Sequence, residues 1–193
     1  MRVLRLCSAL VIVCTLGSFV EDVAASMIVR HLSLQQMCHA AGRIFRGTVL
    51  GVSDGMVVAG GGQLSTIVYR VRVDEQFKGS FEIIKGQRIA TLQMLQARKR
   101  QPGLFRNFAM LDGLPTLREG HDYLILATTP SAAGLSTTVG LEQGVFKVAG
   151  KAGRETAVNG NDNVGLDAGA NAAARGPMPY ASLRSSIHRF LGR

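Results

Sequence analysis

Alternating apolar and polar positions dominate the middle of the chain. One side of the run 66–73 is apolar and the other is polar: Ile67, Tyr69, Val71 and Val73 lie opposite Thr66, Arg70 and Arg72. Because side chains alternate between the two faces of a strand, this pattern predicts a β-strand with one packed face. Weaker runs predict strands at 44–52, 88–95, 123–128 and 155–158, a close pair at 139–141 and 145–148, and turns at 53–55 and 60–62.

Two segments show helical spacing instead. Ser33 is followed three positions later by Gln36, which is the spacing of a capping box with Ser33 as the N-cap. The apolar positions after Ser33 then recur at helical intervals up to Ala41. A second apolar stripe runs from Tyr180 to Leu191 and predicts an amphipathic C-terminal helix.

Many short strands with few helices indicate a mainly β fold. We expect a small OB-like antiparallel barrel of five strands, with a short N-terminal helix and a C-terminal amphipathic helix. The barrel domain is expected over 26–158 and the C-terminal helix over 179–193. Residues 159–178 are rich in Gly, Ala and Asn, which predicts a flexible linker between them.

The first 25 residues have the three parts of a secretory signal peptide. Arg2 and Arg5 precede an uncharged run over 6–20, and small residues follow at 23–25. The run is shorter than a membrane-spanning helix requires, and Glu21 ends it. We therefore predict an exported protein, periplasmic or extracellular, without a membrane span after cleavage.

The net charge and the cysteine content predict two further properties of the mature chain. The chain carries a formal net charge of +9, which favours association with anionic surfaces. Cys38 is the only cysteine that remains after residues 1–25 are removed, so no disulfide can form within the mature chain. Its place on the apolar face of the first predicted helix indicates a buried, inert thiol; an exposed reactive thiol is the alternative.

Several short motifs, in this order, resemble a widespread and largely uncharacterised family of exported bacterial proteins. They cover residues 33–148 and include Leu34, Ala41, Ile44, Gly47, Tyr69, Val71, Val73, Lys78, Gly79, Leu117, Gly120, Tyr123, Leu124, Gly140, Gln143, Gly144, Phe146 and Val148. The resemblance implies an OB-like barrel similar to the netrin-like domain of tissue inhibitors of metalloproteinases. It implies no activity, because the family has no established catalytic or binding residues.

The candidate structural motif of that resemblance consists of Gly47, Gly79, Gly120, Tyr123, Gln143, Gly144 and Phe146. Glycines within a strand often mark a bulge or bend, and glycines at turns adopt positive φ at little cost. The chain departs from the family where residues 93–96 continue without glycine. It also lacks the N-terminal cysteine that metalloproteinase inhibitors place on zinc, because Ser26 would begin the mature chain.

No catalytic constellation, metal-ligand spacing or cofactor motif stands out, so we expect no enzyme activity, no metal and no cofactor. The candidate ligand-binding loop is a basic segment with interspersed aromatics: Arg98, Lys99, Arg100, Phe105 and Arg106. The leading hypothesis is a non-enzymatic exported binding module for a protein or an anionic envelope polymer, with no nucleic acid expected. The alternatives are an accessory or inhibitor of an exported protease, which rests on fold analogy alone, and an uncharacterised hydrolase.

Overall fold

The strands of the computed structural model pair into one antiparallel sheet in the order β3-β4-β2-β1-β5-β6-β7-β8. The structure describes residues 31–59, 61–96, 114–166 and 175–193. The strands are β1 Arg43–Ala59, β2 Gly62–Lys78, β3 Glu82–Ile84, β4 Gln87–Leu95, β5 Asp122–Ala127, β6 Val145–Ala149, β7 Thr156–Asn159 and β8 Met178–Pro179; the helices are α1 Leu34–Ala40 and α2 Tyr180–Phe190. The prediction of a mainly β fold with a short helix before the sheet and another at the C-terminal end is confirmed.

The first helix begins where the capping box predicts. The backbone N–H of Gln36 donates to the Ser33 hydroxyl, and the Ser33 backbone N–H donates to the Gln36 side chain. Two donors that the first helical turn leaves unpaired are thereby satisfied. One face of α1 is buried, and Cys38 lies on it with no exposed surface.

The β1–β2 hairpin is longer than its sequence pattern predicts. The expected turn at 53–55 is wrong, because β1 continues through it and pairs with β2 up to the partners Ala59 and Gly62. Gly55 explains the error, since a Cβ atom there would lie 2.8 Å from Oγ1 of Thr66. This glycine allows two strands to approach closely and does not make a turn.

The strands predicted at 88–95 and 123–128 are present as β4 and β5, and β5 is buried on both faces as expected. The strand predicted at 139–141 is wrong. Gly140 has a φ of 68° and Leu141 a φ of 58°, which an extended strand does not permit, and a 3-10 helix follows at Leu141–Gly144. Strand β3 had no clear pattern in the sequence.

The expected barrel is only partly closed. In the strand order, β4 and β5 lie on opposite sides of the β1–β2 pair. The segment between β5 and the 3-10 helix, which belongs to no strand, lies between β4 and β5. It forms isolated bridges from Leu135 to Gln93 in β4 and from Thr138 to Ala127 in β5, and the backbone N–H of Ser136 donates to the Gln93 carbonyl oxygen. At the same seam the Arg43 side chain extends from β1 and donates to the carbonyl oxygen of Thr91 in β4, at 3.2 Å.

Two apolar clusters lie on the two faces of this sheet. One fills the concave side between β1, β2, β4 and β5; its largest fully buried members include Phe45, Tyr69, Leu92, Met94 and Ile125. The other packs both helices against β1, β5 and β6, and its fully buried members include Met37, Ile44, Leu124, Phe146 and Leu183. The C-terminal helix is therefore an integral part of the fold.

The first part of the predicted linker, residues 159–166, forms hydrogen-bonded turns. The side-chain nitrogen of Asn163 donates to the carbonyl oxygens of Ala157 and Gly176, at 2.9 and 2.8 Å. The carbonyl oxygen of Leu166 accepts from the backbone N–H of Leu34 at the start of α1. These bonds join the chain after β7 to the segment just before β8 and to α1.

Candidate functional site

The basic loop that the sequence nominates for binding lies outside the described residues. This applies to Arg98, Lys99, Arg100, Phe105 and Arg106 alike. Ligand binding by this loop therefore stays a prediction.

The residues of the candidate structural motif occupy turns and packed interior positions. A Cβ atom on Gly47 would lie 2.0 Å from the Arg72 carbonyl oxygen, and one on Gly144 would lie 2.3 Å from the Val139 carbonyl oxygen. Gly79 and Gly120 have φ values of 88° and 76°. These glycines are needed for close backbone approach or for positive φ.

The three larger members of that motif are held by packing and hydrogen bonds. Phe146 is fully buried, and the Tyr123 hydroxyl accepts a hydrogen bond from the backbone N–H of Arg118. The side-chain oxygen of Gln143 accepts from the backbone N–H of Leu32, at 2.9 Å. None of the three presents a free functional group to a ligand.

A network of ionic side chains forms where α2 meets the outer face of the sheet. Its centre is Arg46, whose Nε and Nη2 both donate to Oδ2 of Asp122, at 2.9 and 2.7 Å. Nη2 also lies 3.5 Å from Oε1 of Glu155. Burial alone would lower the pKa of Arg46, but the hydrogen bond and negative charge of Asp122 outweigh it and raise the pKa above its usual value.

The same arginine reaches the C-terminal helix through an aromatic ring. Its guanidinium carbon lies 4.3 Å from the centre of the Tyr180 ring, which is cation–π distance. The Tyr180 hydroxyl donates to Glu75 at 2.6 Å, and Nε of Arg184 lies 2.5 Å from the other carboxylate oxygen of Glu75. Burial, together with the hydrogen bond and charge of Glu75, raises the pKa of Tyr180.

An open groove of about 780 Å³ runs over this network. Its walls carry both charges, and their ion pairs already satisfy Arg46, Glu75, Glu155 and Arg184. A phenol whose pKa is raised is held in its protonated form and is a poor general base at neutral pH. The arrangement fastens α2 to the sheet and offers no activated nucleophile.

A second surface differs because three of its four cations have no ion-pair partner among the described residues. We call it the basic face and define it as Arg70, Arg72, Lys85 and Arg88. Arg70 and Arg72 share one side of β2. Because Arg72 pairs with Ile89, the neighbouring Arg88 side chain leaves β4 on the other side of the sheet, but Arg72 and Arg88 both line one depression of about 320 Å³ beside β3. Among the described residues, Arg72 is ion-paired with Asp74, whereas Arg70, Lys85 and Arg88 form no ion pair.

Sequence reasoning placed part of the basic face. The alternation in 66–73 put Arg70 and Arg72 together on the polar side, and the structure confirms this arrangement. Arg88 begins the strand predicted at 88–95, but no sequence pattern predicts β3 or its hairpin with β4, so Lys85 and Arg88 were not placed near Arg72. The signal for that hairpin is Lys85-Gly86, where both residues have positive φ.

The described part of the chain gives no support to metal or thiol chemistry. No group of three or more His, Cys, Asp or Glu side chains within it has a geometry that could hold a metal ion. Burial raises the pKa of the Cys38 thiol to about 11, although the positive charge of Lys78 lowers it in part. A nucleophilic cysteine needs an exposed thiol of low pKa, so the reactive alternative has no support here.

Across the described residues, no helix has the length and apolar character needed to cross a membrane. Comparison with known proteins adds no assignment: no family model, curated protein or solved structure matches this chain.

Proposed function

We propose that the chain is an exported, non-enzymatic binding module that holds an anionic envelope polymer on its basic face. Export rests on the signal peptide predicted in residues 1–25. The observation that carries the proposal is that Arg70, Lys85 and Arg88 are exposed and have no carboxylate partner among the described residues. Exposed cations without counter-charges produce a positive surface potential that attracts polyanions.

The chemistry of the side chains supports this choice of ligand. A guanidinium group presents a planar set of donors that fits carboxylate and phosphate groups in a two-point contact. The depression between Arg72 and Arg88 has room for one such group beside the exposed side chain of Ile83. A polymer with repeating carboxylates or phosphates can contact Arg72 and Arg88, which line the same depression, and the affinity then benefits from multivalency.

Calorimetric titration of the purified chain tests the proposal. The ligands are polygalacturonate, which carries carboxylates, polyphosphate, and dextran as the uncharged control. We expect binding to at least one polyanion, weakening steeply as salt is added, and no binding to dextran. Absence of binding to both polyanions at low salt, or equal binding to dextran, would contradict the proposal.

A further inference from the structure

Among the described residues, no strand pairs with one edge of the outer half of β1. Strand β5 pairs with β1 only from Arg43 to Thr48, and the bonds of Val49 to His121 and Gly120 end the contact. Within the described part of the chain, the backbone beyond that point, 50–59, bonds to β2 alone. The one other bond to it is a 3.5 Å contact from the Gln93 side chain to the Met56 carbonyl oxygen.

This free edge is apolar and almost uncharged. Met56 is 61 % exposed and Val58 is 73 % exposed, on the same side of the strand. Between residues 50 and 68 the only charged side chain is Asp54. An exposed edge that is long, apolar and free of lysine, arginine and proline is a template for another strand.

We propose that the edge of β1 over 50–59 pairs in antiparallel fashion with the same edge of a second copy of this chain. The charge distribution allows a second copy as the occupant. The stretch 50–68 contains no basic residue, although the chain as a whole carries +9, so two copies of this edge carry only Asp54 each and can approach without the repulsion of the basic parts of the chain. Ten residues of strand extend for roughly 33 Å, several times the screening length of about 8 Å, and keep the basic bodies of two copies apart.

The sequence of the edge also suits pairing with itself. If the two-fold axis passes at Gly55, Val52 lies opposite Val58 of the second copy, and Asp54 lies opposite Met56 of the second copy. Two valine pairs then form, and the two carboxylates are not directly opposed. An axis at Asp54 would place like charges opposite each other, which is unfavourable.

Sedimentation equilibrium of the purified chain and three single variants tests the inference. We expect a reversible dimer for the wild type and association at least tenfold weaker for Val58→Lys, which removes both valine pairs. Ile83→Lys is the matched control, because Ile83 is 70 % exposed but lies on β3. We expect its dimer to be unchanged. Met56→Lys should not weaken the dimer, because the new ammonium group would lie opposite Asp54 of the second copy.

A wild-type chain that stays monomeric up to roughly 100 µM would overturn the proposal, since complexes of biological use are tighter than that. A dimer that is unaffected by Val58→Lys, or weakened equally by Ile83→Lys, would place the contact elsewhere and also overturn it. A dimer weakened by Met56→Lys as strongly as by Val58→Lys would contradict the register. The proposal is independent of polyanion binding, so either can fail alone.

Discussion

The hydroxyl group of Tyr180 donates a hydrogen bond to Oε2 of Glu75, 2.6 Å away, and joins α2 to β2 across 105 positions of the chain. A hydrogen bond to a charged, largely buried carboxylate is stronger than one between neutral groups. Tyr180→Phe should therefore lower the free energy of unfolding by about 1–2 kcal/mol, measured by urea denaturation.

The matching control is Glu75→Gln in a double-mutant cycle. Because the two side chains contact each other, their effects should not add, and a coupling of about 1 kcal/mol is expected. Strictly additive effects would show that this bond does not fasten the helix.

Two glycines of β1 should respond in opposite ways to alanine. A Cβ atom at Gly47 would lie 2.0 Å from the Arg72 carbonyl oxygen, whereas one at Gly51 would have nothing within 4 Å. We expect Gly47→Ala to destabilise the chain by more than about 3 kcal/mol, and Gly51→Ala to be neutral or stabilising by up to about 1 kcal/mol. The measurement is the thermal unfolding of both variants. Equal stabilities of the two variants would contradict the register of β1 and β2.

The buried thiol of Cys38 should make stability fall at high pH. Its pKa is raised to about 11 in the folded chain, from a usual value of 9.0, chiefly by burial. Between these values the unfolded chain loses the thiol proton and the folded chain keeps it, so unfolding becomes more favourable as pH rises. Two pKa units correspond to about 2.7 kcal/mol in all, of which about 2 kcal/mol is lost between pH 9 and pH 11.

The contribution of Cys38 is isolated by comparing the wild type with Cys38→Ala over that pH range. The alanine variant should show the smaller loss of stability with rising pH. In addition, the wild-type thiol should react with a disulfide reagent only after unfolding. Rapid labelling of the folded chain at pH 8 would contradict a buried thiol.

Arg43 carries a guanidinium group that is costly to bury. The residue is 9 % exposed, and within the part of the chain that the structure describes its Nε and Nη2 have no hydrogen-bond partner, while Nη1 bonds to the Thr91 carbonyl oxygen alone. Burial lowers its pKa, which means that the charged form is disfavoured. Arg43→Met keeps the length of the side chain and removes the charge, so we expect a gain of about 1 kcal/mol in unfolding free energy.

Arg43→Lys is the control, since it retains a charge at the same position and should give no gain. If both variants instead lower the free energy of unfolding by the same amount, the expected gain is contradicted. Arg43 would then stabilise the contact between β1 and β4.

The parts of the fold that the sequence predicts are those governed by local pattern. The alternation in β2 and the capping box at Ser33 each reflect contacts within a few residues. Prediction failed where a distant contact decides the backbone. The sequence around Gly55 predicts a turn. In the structure this position lies in a strand, and a glycine fits there because the Thr66 side chain lies close to the backbone.

The residues of the candidate site were likewise predictable only where local sequence pattern places them. Arg70 and Arg72 could be placed on one face because they are two positions apart on a strand. The partners in the network around Arg46 are 76 and 109 positions away, so no local pattern could have joined them. The same limit applies to Arg88, which lies near Arg72 only because β4 pairs with β2.

The central claim is that the basic face, and not the overall charge, holds an anionic polymer. Replacing Arg70 and Arg88 by glutamine removes two charges that have no ion-pair partner among the described residues. The double variant Lys151→Gln/Arg175→Gln removes two exposed charges near the opposite end of the strand order, so both variants have the same net charge.

The most direct test is the dissociation constant of each double variant for the polyanion that binds the wild type, at one fixed low salt concentration. The account predicts at least tenfold weaker binding for Arg70→Gln/Arg88→Gln, about 1.4 kcal/mol, and less than threefold weaker binding for the control. Equal weakening in the two variants would contradict it, because binding would then follow net charge alone.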